Sequence, residues 1–539
     1  MRPAVASRAF DAVVIGGGHN GLVCAAYLAA GGMSVCVLER RAIVGGAAVT
    51  EEFHPGFRNS TASYTVGLLH PTVIRDLRLV EHGLRIVERP LANFLPLSGA
   101  RGDALCIGGG LERTQSEVAR FSARDAQTIP RWYAMLERAA ACVRALLLRT
   151  PPDIAGGARA VLELWKASRP FRALSAQARR EVVDIATKSA GDLLDRWFEA
   201  EPLKAALGFD AVVGHFASPY EPGSAYLLLH YALASVNGKP GQWGHAIGGM
   251  GAITQAIASE CARRGVVMRT SAPVAQVVVE GGRACGVVLA SGERVDGRHV
   301  VANVNPKLLF GTLVAAEHQP DEFRARVAGY RCASGTFRMN VALSAPPDFA
   351  ALPGDGPHLR SGIVVAPSLA YMDRAWLDAR TAGWSRAPVV EMLVPSLVDA
   401  SLAPPGAHVA SLFCQHVHPD VGTVRETTWD EARDEVAALM IDTVTRYAPN
   451  FRASVLGFRA LTPLDLEREF GLVGGDISHG AMTLDQLYAL RPVPGHAGYR
   501  MPVPSLYLCG AGAHPGGGVS GLPGRNAARE ILRAAKRRA

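Results

Sequence analysis

The chain has 539 residues, of which 49% are hydrophobic and 19% are charged. This composition is typical of globular proteins and excludes disordered chains and fibres. The formal net charge is +8, but the 56 basic residues are spread along the whole chain, so we expect no nucleic-acid partner. The nine cysteines show no metal-ligating or redox spacing. We therefore predict no metal site and a reducing, cytoplasmic environment.

The two ends of the chain leave open whether the protein contacts a membrane or enters an organelle. No apolar run reaches the ~18 residues that a transmembrane helix needs. Residues 1–10 carry Arg2 and Arg8 without an acidic residue, which leaves a mitochondrial presequence as an alternative. The basic tail at residues 536–538 is either a solvated helix end or a contact to anionic lipid. Peripheral membrane contact and homo-oligomerisation therefore both stay open.

The first forty residues predict a strand, a glycine turn, a helix and a second strand. Residues 12–15 form a β-branched apolar run, which is typical of a buried parallel strand. The alanine-rich residues 22–30 predict a helix, and the glycines at 31–32 predict its end. Residues 34–38 form a second apolar strand. The pattern is a complete βαβ unit.

Three glycines and one acid in this unit predict dinucleotide binding. Gly16, Gly18 and Gly21 form G-x-G-x-x-G between strand and helix, and Glu39 ends the second strand. Gly16 permits a tight turn, Gly18 lets backbone approach a pyrophosphate, and Gly21 lets helix and strand pack closely. The helix N-terminus favours the phosphate charge. The Glu39 carboxylate accepts hydrogen bonds from ribose hydroxyls and repels a 2′-phosphate.

Two further glycine-rich segments indicate FAD. Gly45 and Gly46 follow Glu39 in the E-x5-G-G spacing that is typical of glutathione-reductase-like FAD enzymes, which this stretch resembles. Residues 506–509 predict a strand, followed by a glycine turn at 510–518 and a helix at 519–532. In FAD enzymes of this type such a turn faces the flavin O2/N1 edge, so the two chain ends are expected to meet on one cofactor.

Residues 248–310 predict helix, strand, strand, hairpin and strand. The glycines at 281–282 are expected to form one hairpin turn and residues 291–292 another. The strand at 300–303 is expected to rejoin the first sheet. By resemblance to related flavoproteins, the backbone near Val274 is expected to contact the adenine.

The remaining segments predict a second layer. Residues 111–210 are expected to be helical, and the apolar residues from 132 to 146 recur at helical spacing. That apolar face either packs on the domain or forms a tunnel wall or membrane-docking face. Residues 331–345 and 387–418 predict strands, and a strand-rich substrate platform fits this pattern.

Together these motifs resemble the phytoene desaturase-like flavoproteins over nearly the whole chain. The branch most similar is that of pyridine nucleotide-disulfide oxidoreductase domain-containing protein 2 and its bacterial relatives. The carriers are VVIGGGHNGLVCAAYLAAGG, LERRAIVGGAAVTEEF, GQWGHAIGGMGAITQAIA and LYLCGAGAHPGGGVSGLPGRNAA. Ser505 and Gly517 depart from the carotenoid desaturase signature. Disulfide chemistry is not expected, because Ala47 and Ala48 stand where disulfide reductases carry a cysteine pair.

The resemblance implies an α/β fold with a discontinuous, glutathione-reductase-like FAD-binding Rossmann domain and an inserted α+β substrate domain. The FAD-binding parts are predicted at residues 1–110, 241–310 and 495–539. The substrate domain is predicted at residues 111–240, which are helical, and 311–494, which are strand-rich.

The predicted site combines backbone contacts to FAD with a few histidines. The cofactor-binding residues are predicted to be Gly16, Gly18, Asn20, Gly21, Glu39, Arg40, Gly45, Gly46, Ala47, Val274, Gly510, Ala511, Gly518 and Val519. His245, His514 and His230 are the catalytic candidates; the alternative for His230 is an ordinary core histidine, and the alternative for His514 is a histidine that fixes its loop. Arg58 and Tyr64 are expected near the substrate side of the flavin.

Three functions are weighed. The first is an FAD oxidoreductase that desaturates, saturates or isomerises a lipophilic, carotenoid- or isoprenoid-like substrate by hydride transfer with flavin N5. Its electron acceptor stays open between oxygen, a quinone and another protein. The second is an FAD amine oxidase, although the C-terminal motif does not resemble theirs. The third is a non-catalytic interaction protein that FAD stabilises.

Overall fold

The computed structural model describes residues 9–154 and 156–536, except for the side chain of residue 159. The presequence alternative rests on Arg2 and Arg8, which lie outside the described residues. Of the basic tail, residues 537 and 538 also lie outside them. Those two hypotheses therefore stay predictions.

The described residues form twenty strands and eighteen α-helices, besides ten short 3₁₀- or π-helical segments. The strands are β1 Phe10–Ile15, β2 Val35–Leu38, β3 Thr50–His54, β4 Phe57–Ser60, β5 Ile86–Glu88, β6 Asn93–Pro96, β7 Ala104–Ile107, β8 Ser235–Val236, β9 Lys239–Pro240, β10 Gly244–Ala246, β11 Val267–Arg269, β12 Val274–Glu280, β13 Arg283–Leu289, β14 Arg294–Ala302, β15 Phe337–Leu343, β16 Gly362–Val365, β17 Trp384–Leu393, β18 His408–Val417, β19 Val455–Leu461 and β20 Leu506–Leu508.

The α-helices lie between these strands along the chain and at its C-terminal end. They are α1 His19–Ala30, α2 Pro71–Asp76, α3 Leu111–Ala119, α4 Ala123–Leu147, α5 Gly157–Ala167, α6 Arg169–Arg172, α7 Ala176–Thr187, α8 Ala190–Trp197, α9 Glu201–Gly208, α10 Ala225–Tyr231, α11 Met250–Arg263, α12 Pro306–Leu308, α13 Asp321–Ala328, α14 Leu369–Ala382, α15 Trp429–Thr445, α16 Phe451–Ser454, α17 Pro463–Phe470 and α18 Leu522–Lys536.

The first sheet gathers strands from three distant parts of the chain. Its order is β11-β2-β1-β14-β13-β12, and β20 pairs with the end of β14. The strands β11, β2, β1, β14 and β20 run parallel, whereas β12 and β13 form an antiparallel extension. Helices α1, α11 and α18 share one hydrophobic core with this sheet. The predicted βαβ unit and both predicted hairpin turns are confirmed.

The second sheet has seven strands in the order β19-β15-β18-β17-β16-β6-β7. Every pair is antiparallel except β16 with β6. Helix α15 packs in a core on this sheet, and α4, α8, α9, α10 and α14 pack in another. The strands predicted within 331–345 and 387–418 are confirmed as β15, β17 and β18.

Two predicted boundaries differ from the structure. Strands β6 and β7 lie within residues 1–110, which were assigned to the cofactor-binding part, but they pair with β16 of the second sheet because both are apolar and need burial there. The C-terminal helix was predicted from residue 519, but α18 begins at Leu522 because Gly521 has a positive φ of 72°. The other domain boundaries stay predictions.

The predicted helical layer at 111–210 is confirmed as α3 to α9. Within α4, Trp132, Met135 and Ala139 are buried, so this face packs into the protein interior. The described residues contain no helix that is long and apolar enough to cross a membrane. They also contain no cluster of three or more His, Cys, Asp or Glu side chains that could hold a metal ion.

Candidate functional site

A cavity of about 880 Å³ lies between the two sheets. On one side it is lined by residues that follow the carboxyl ends of β1, β2 and β14, among them Gly16, Glu39 and Asn303. On the other side it reaches Glu391 and Phe413 of the second sheet. Ligands of open α/β sheets bind outside the carboxyl ends of the strands, so this cavity is the candidate site.

The glycine turn between β1 and α1 forms one wall. A Cβ at Gly21 would lie 2.2 Å from the carbonyl oxygen of Gly16, so only glycine lets helix and strand pack this closely. A Cβ at Gly18 would lie 2.9 Å from the Asn303 side-chain amide. No side chain caps the N-terminus of α1. The free helix end therefore faces the cavity as a site for an anionic phosphate.

The Glu39 carboxylate is buried at the end of β2 and is 5% exposed. Its Oε2 accepts a hydrogen bond of 2.8 Å from the Gly17 N–H, and its Oε1 accepts one of 2.9 Å from the Arg41 N–H. These bonds fix the carboxylate at the cavity wall, and each oxygen retains a lone pair. The position suits hydrogen bonds from ribose hydroxyls, and that contact stays a prediction.

The second glycine pair packs against the first turn. The Gly45 N–H donates to the Gly17 carbonyl oxygen at 2.8 Å. Gly46 has a φ of +57°, and a Cβ there would lie 3.0 Å from the Cα of Gly18. Gly46 and Ala47 therefore line the cavity, whereas Gly45 holds the two turns together behind it.

The C-terminal segment closes the same wall. The residues Ala511, Gly518 and Val519 line the cavity, but Gly510 packs behind it against Asn303. Val274, at the start of the edge strand β12, also lines the cavity. The other predicted cofactor residues that line it are Gly16, Gly18, Asn20, Glu39, Arg40, Gly46 and Ala47. The structure thus brings the distant motifs together.

Four polar atoms in this wall are buried and have no hydrogen-bond partner among the described residues. They are His19 Nε2, Asn20 Oδ1, Arg41 Nη1 and His479 Nδ1. Buried polar atoms need partners, so these atoms indicate a ligand rich in polar groups. Burial lowers the pKa of both His19 and His479 to about 4, so both rings are neutral at neutral pH. The set fits FAD, whose phosphates and flavin edge offer donors and acceptors.

The three candidate histidines occupy different places. His230 lines the cavity, and burial lowers its pKa to about 4. His514 lies outside the cavity lining, and its Nε2 donates to the Leu146 carbonyl oxygen at 3.1 Å near the end of α4. This contact matches the loop-fixing alternative.

His245 also lies outside the cavity lining. Its Nε2 lies 3.0 Å from Asp399 Oδ2, and the same carboxylate oxygen accepts the Gly248 N–H at 2.7 Å. These hydrogen bonds hold the Asp399 pKa well below its usual range, against the opposing effect of burial. The pair therefore holds the turn that precedes α11.

The part of the cavity beyond the cofactor wall has mainly hydrocarbon sides; we call it the chamber. Its apolar walls come from α4, α9, α10 and the turn between the last two. They include Leu136, Leu207, Phe209, Val213 and Leu228. Such a surface binds a lipophilic molecule by the hydrophobic effect.

One group of charged and phenolic side chains interrupts these walls. We call it the polar patch; it consists of Tyr64, Arg89, Asp210, Tyr231 and Glu391. Arg89 Nη1 lies 3.4 Å from Glu391 Oε1, with both side chains less than a tenth exposed. The Tyr64 hydroxyl donates to Glu391 Oε2. Sequence reasoning missed all these residues except Tyr64, because they come from separate elements and share no motif.

Asp210 differs from the rest of the polar patch. It accepts no hydrogen bond from any described residue, although its side chain lines the chamber. Burial and repulsion from Glu391 raise its pKa to about 7, while Arg89 opposes the rise. The carboxyl group is therefore poised between its neutral and charged forms at neutral pH. Arg58, the other predicted substrate-side residue, does not line this cavity.

A family model described as flavin containing amine oxidoreductase matches residues 21–336. The chain belongs to this flavin-containing amine oxidoreductase family. It is also 43% identical to pyridine nucleotide-disulfide oxidoreductase domain-containing protein 2 of Rattus norvegicus, over 97% of this chain and 93% of the relative.

The chain is also similar to two more distant proteins. Hydroxyneurosporene desaturase of Cereibacter sphaeroides is 27% identical over 96% of this chain and 97% of its own. A structure of putrescine oxidase, redesigned in its cofactor binding, matches with a TM-score of 0.60 and 15% identity, over 98% and 99% of the two chains. The family and the cavity together identify FAD as the cofactor and the protein as an FAD-dependent oxidoreductase.

The family match covers residues 21–336 and therefore does not test the C-terminal motif. The described residues of the cavity lining offer no candidate for disulfide chemistry. No cysteine is among the described residues that line the cavity. The disulfide wording in the rat relative's name therefore has no counterpart in this site.

Proposed function

We propose that this flavoprotein desaturates a lipophilic, isoprenoid-like substrate. The observation that carries the proposal is the chamber, whose hydrocarbon walls adjoin the cofactor wall within one cavity. The name of the Cereibacter relative, a desaturase, supports the same chemistry. In a desaturation, hydrogen leaves two adjacent carbons, one as hydride and one as a proton, and a double bond forms between them. FAD, when bound, accepts the hydride.

The residues of this chain have simple tasks in that reaction. The glycine turns and Glu39 hold the cofactor, and the hydrocarbon walls position the chain and exclude water. His230 lines the cavity as a neutral ring and is the proton acceptor in this proposal, although burial lowers its pKa to about 4 and makes it a weak base. The cavity of about 880 Å³ has to hold cofactor and substrate together, which favours a compact isoprenoid over a complete carotenoid.

An anaerobic titration tests the proposal. FAD-loaded protein is mixed first with NADH or NADPH and then, separately, with short isoprenoids, while the visible absorption band of the flavin is followed. We expect no bleaching by the nicotinamides and bleaching by an isoprenoid donor. Bleaching by a nicotinamide alone would overturn desaturation and favour a saturase or isomerase. Once the flavin has been reduced, its re-oxidation by oxygen or by a quinone would identify the electron acceptor.

Amine oxidation is the second candidate, and the polar patch favours it. The patch places the Asp210 carboxyl group in the chamber, and this group attracts an ammonium group when it is ionised. Benzylamine in the same anaerobic assay tests this function. Bleaching by benzylamine but by no isoprenoid would replace desaturation with amine oxidation.

A further inference from the structure

We propose that the substrate carries a hydroxyl group at one end and that this hydroxyl donates a hydrogen bond to Asp210 in the polar patch. This inference rests on the proposed function, because it assumes that the chamber holds a lipophilic chain. It goes further, because it assigns the polar end of that lipophilic substrate to the side chain of Asp210.

The first argument is the unmet hydrogen-bonding capacity of Asp210. Glu391 is engaged by Arg89 and by the Tyr64 hydroxyl, and Arg89 also donates to the Thr65 hydroxyl at 2.7 Å. Asp210 shares the chamber wall with them and accepts no hydrogen bond from a described residue. A carboxyl group that lines an apolar chamber without a hydrogen-bond partner is costly, so a ligand that donates to it binds with a gain that a pure hydrocarbon lacks.

The second argument is charge balance, which decides between a hydroxyl and an ammonium group. Arg338 is fully buried, lies 4.6 Å over the Tyr64 ring and is within electrostatic reach of Glu391. Burial lowers its pKa to about 10, so it keeps its positive charge at neutral pH. Arg89 and Arg338 thus already offset Glu391 and an ionised Asp210. An added ammonium would be a buried charge in excess, which is unfavourable, whereas a hydroxyl adds none.

The groups that surround Asp210 support the same choice. Besides Glu391 and Arg89, the phenols of Tyr133 and Tyr231 are within electrostatic reach. Burial raises the pKa of Tyr133 to about 12, and that of Tyr231 is raised further, so both stay neutral. The charges of Arg89 and Arg338 therefore suffice to balance the polar patch. The hydrogen-bond donor that Asp210 lacks is then a neutral group.

The experiment uses the FAD-loaded full chain and three probes that share one carbon skeleton. These are geraniol, geranylamine and the hydrocarbon in which the geraniol hydroxyl is replaced by hydrogen. Each is titrated anaerobically and its dissociation constant is read from the change in the flavin visible spectrum. We expect geraniol to bind about tenfold more tightly than the hydrocarbon, which corresponds to one hydrogen bond to a charged group. Geranylamine should not exceed geraniol.

Variants assign the preference to one residue. In Asp210→Ala the advantage of geraniol over the hydrocarbon should vanish, and in Asp210→Asn it should largely persist, because the amide oxygen still accepts. Leu207→Ala, on the apolar wall, is the matched control and should weaken geraniol and the hydrocarbon equally. FAD occupancy and the melting temperature of each variant show whether it is folded. If Asp210→Ala does not fold, the Asn variant and the three probes on the parent protein still decide.

Each outcome has one meaning. Equal binding of geraniol and the hydrocarbon, or a geraniol advantage that survives Asp210→Ala, overturns the hydroxyl assignment and leaves the lipophilic substrate standing. Tighter binding of geranylamine, increasing as the pH rises through 7, overturns it in favour of an ammonium ligand of ionised Asp210. If no probe perturbs the flavin spectrum, the proposed function itself fails.

Discussion

The two ends of the cavity are built in different ways. The cofactor end consists mainly of backbone, in glycine turns that come from three distant segments of the chain and meet at β1, β2 and β20. The chamber consists mainly of side chains, from helices such as α4 and α10 and from strands of the second sheet. The first end therefore tolerates almost no added side chain, whereas the second is open to substitution and is the end at which specificity can vary.

The largest expected effect would come from adding a side chain at the cofactor end. Gly18→Ala places a methyl group 2.9 Å from the Asn303 amide and beside the phosphate position. We expect complete loss of FAD, measured as the flavin-to-protein absorbance ratio. The double variant Gly18→Ala with Asn303→Ala removes the clash inside the protein. It should still lack FAD, because the methyl group still meets the cofactor, and full FAD occupancy in the double variant would contradict the assignment.

The second effect concerns stability at the chamber end. Glu391→Ala removes the carboxylate that faces both Arg89 and Arg338 and leaves two buried positive charges with only Asp210 to offset them. We expect the free energy of unfolding to fall by about 3–5 kcal/mol, measured by urea denaturation, while FAD stays bound.

A matched control for Glu391 lies in the same cavity wall. Glu137 pairs with Arg144 at 2.5 Å, but both side chains are about a third exposed or more. Glu137→Ala should therefore change the free energy of unfolding by only about 0–1 kcal/mol. Equal losses in the two variants would show that the chamber end is not a low-dielectric site.

The third effect is a pH dependence. The pKa of Asp210 is about 7 in the folded protein and 3.8 in its ordinary state, so between these values the folded state binds more protons. The ionisation of Asp210 therefore does not affect the free energy of unfolding below about pH 4. As the pH rises from there to about 7, it lowers that free energy by at most about 1.4 kcal/mol per pH unit.

Asp210→Asn removes this ionisation. The difference in melting temperature between the variant and the parent protein should therefore grow in favour of the variant from about pH 4 to about pH 7 and then stay constant. A difference that is the same at every pH would mean that Asp210 has an ordinary pKa, and the electrostatic description of the polar patch would need revision.

The smallest effect is expected at His245. His245→Ala removes one partner of Asp399, which keeps its bonds to the Gly248 and Ser401 N–H groups. We expect a loss of about 1–2 kcal/mol in the free energy of unfolding and an unchanged flavin spectrum. Turnover reduced far more than stability would return His245 to the role of a catalytic candidate.

The sequence was informative where function depends on backbone. The spacing of Gly16, Gly18 and Gly21 predicted the turn and the helix, because few side chains fit such contacts. The ribose contact of Glu39 stays a prediction. The pairing of β6 and β7 with the second sheet was not predicted. Short apolar strands carry no signal for their partner, and only tertiary packing decides it.

The polar patch could not be predicted for a related reason. Arg89, Asp210 and Glu391 lie in three elements that are far apart in sequence, and each reads alone as an ordinary charged residue. His479 is similar, since its buried Nδ1 reaches the cavity from a loop without a motif. His19 was readable in part, because it stands beside Gly18 at the start of α1.

The arrangement of β14 has a consequence for how the protein assembles. This strand pairs with β1 near the start of the chain and with β20 near its end. Contacts of such long sequence separation form slowly, because a long loop has to close before they stabilise the chain. The cofactor wall thus becomes complete only after β20 and the glycine turn that follows it have been synthesised. Flavin uptake should therefore be a late step of folding, and FAD should slow unfolding more than it speeds folding.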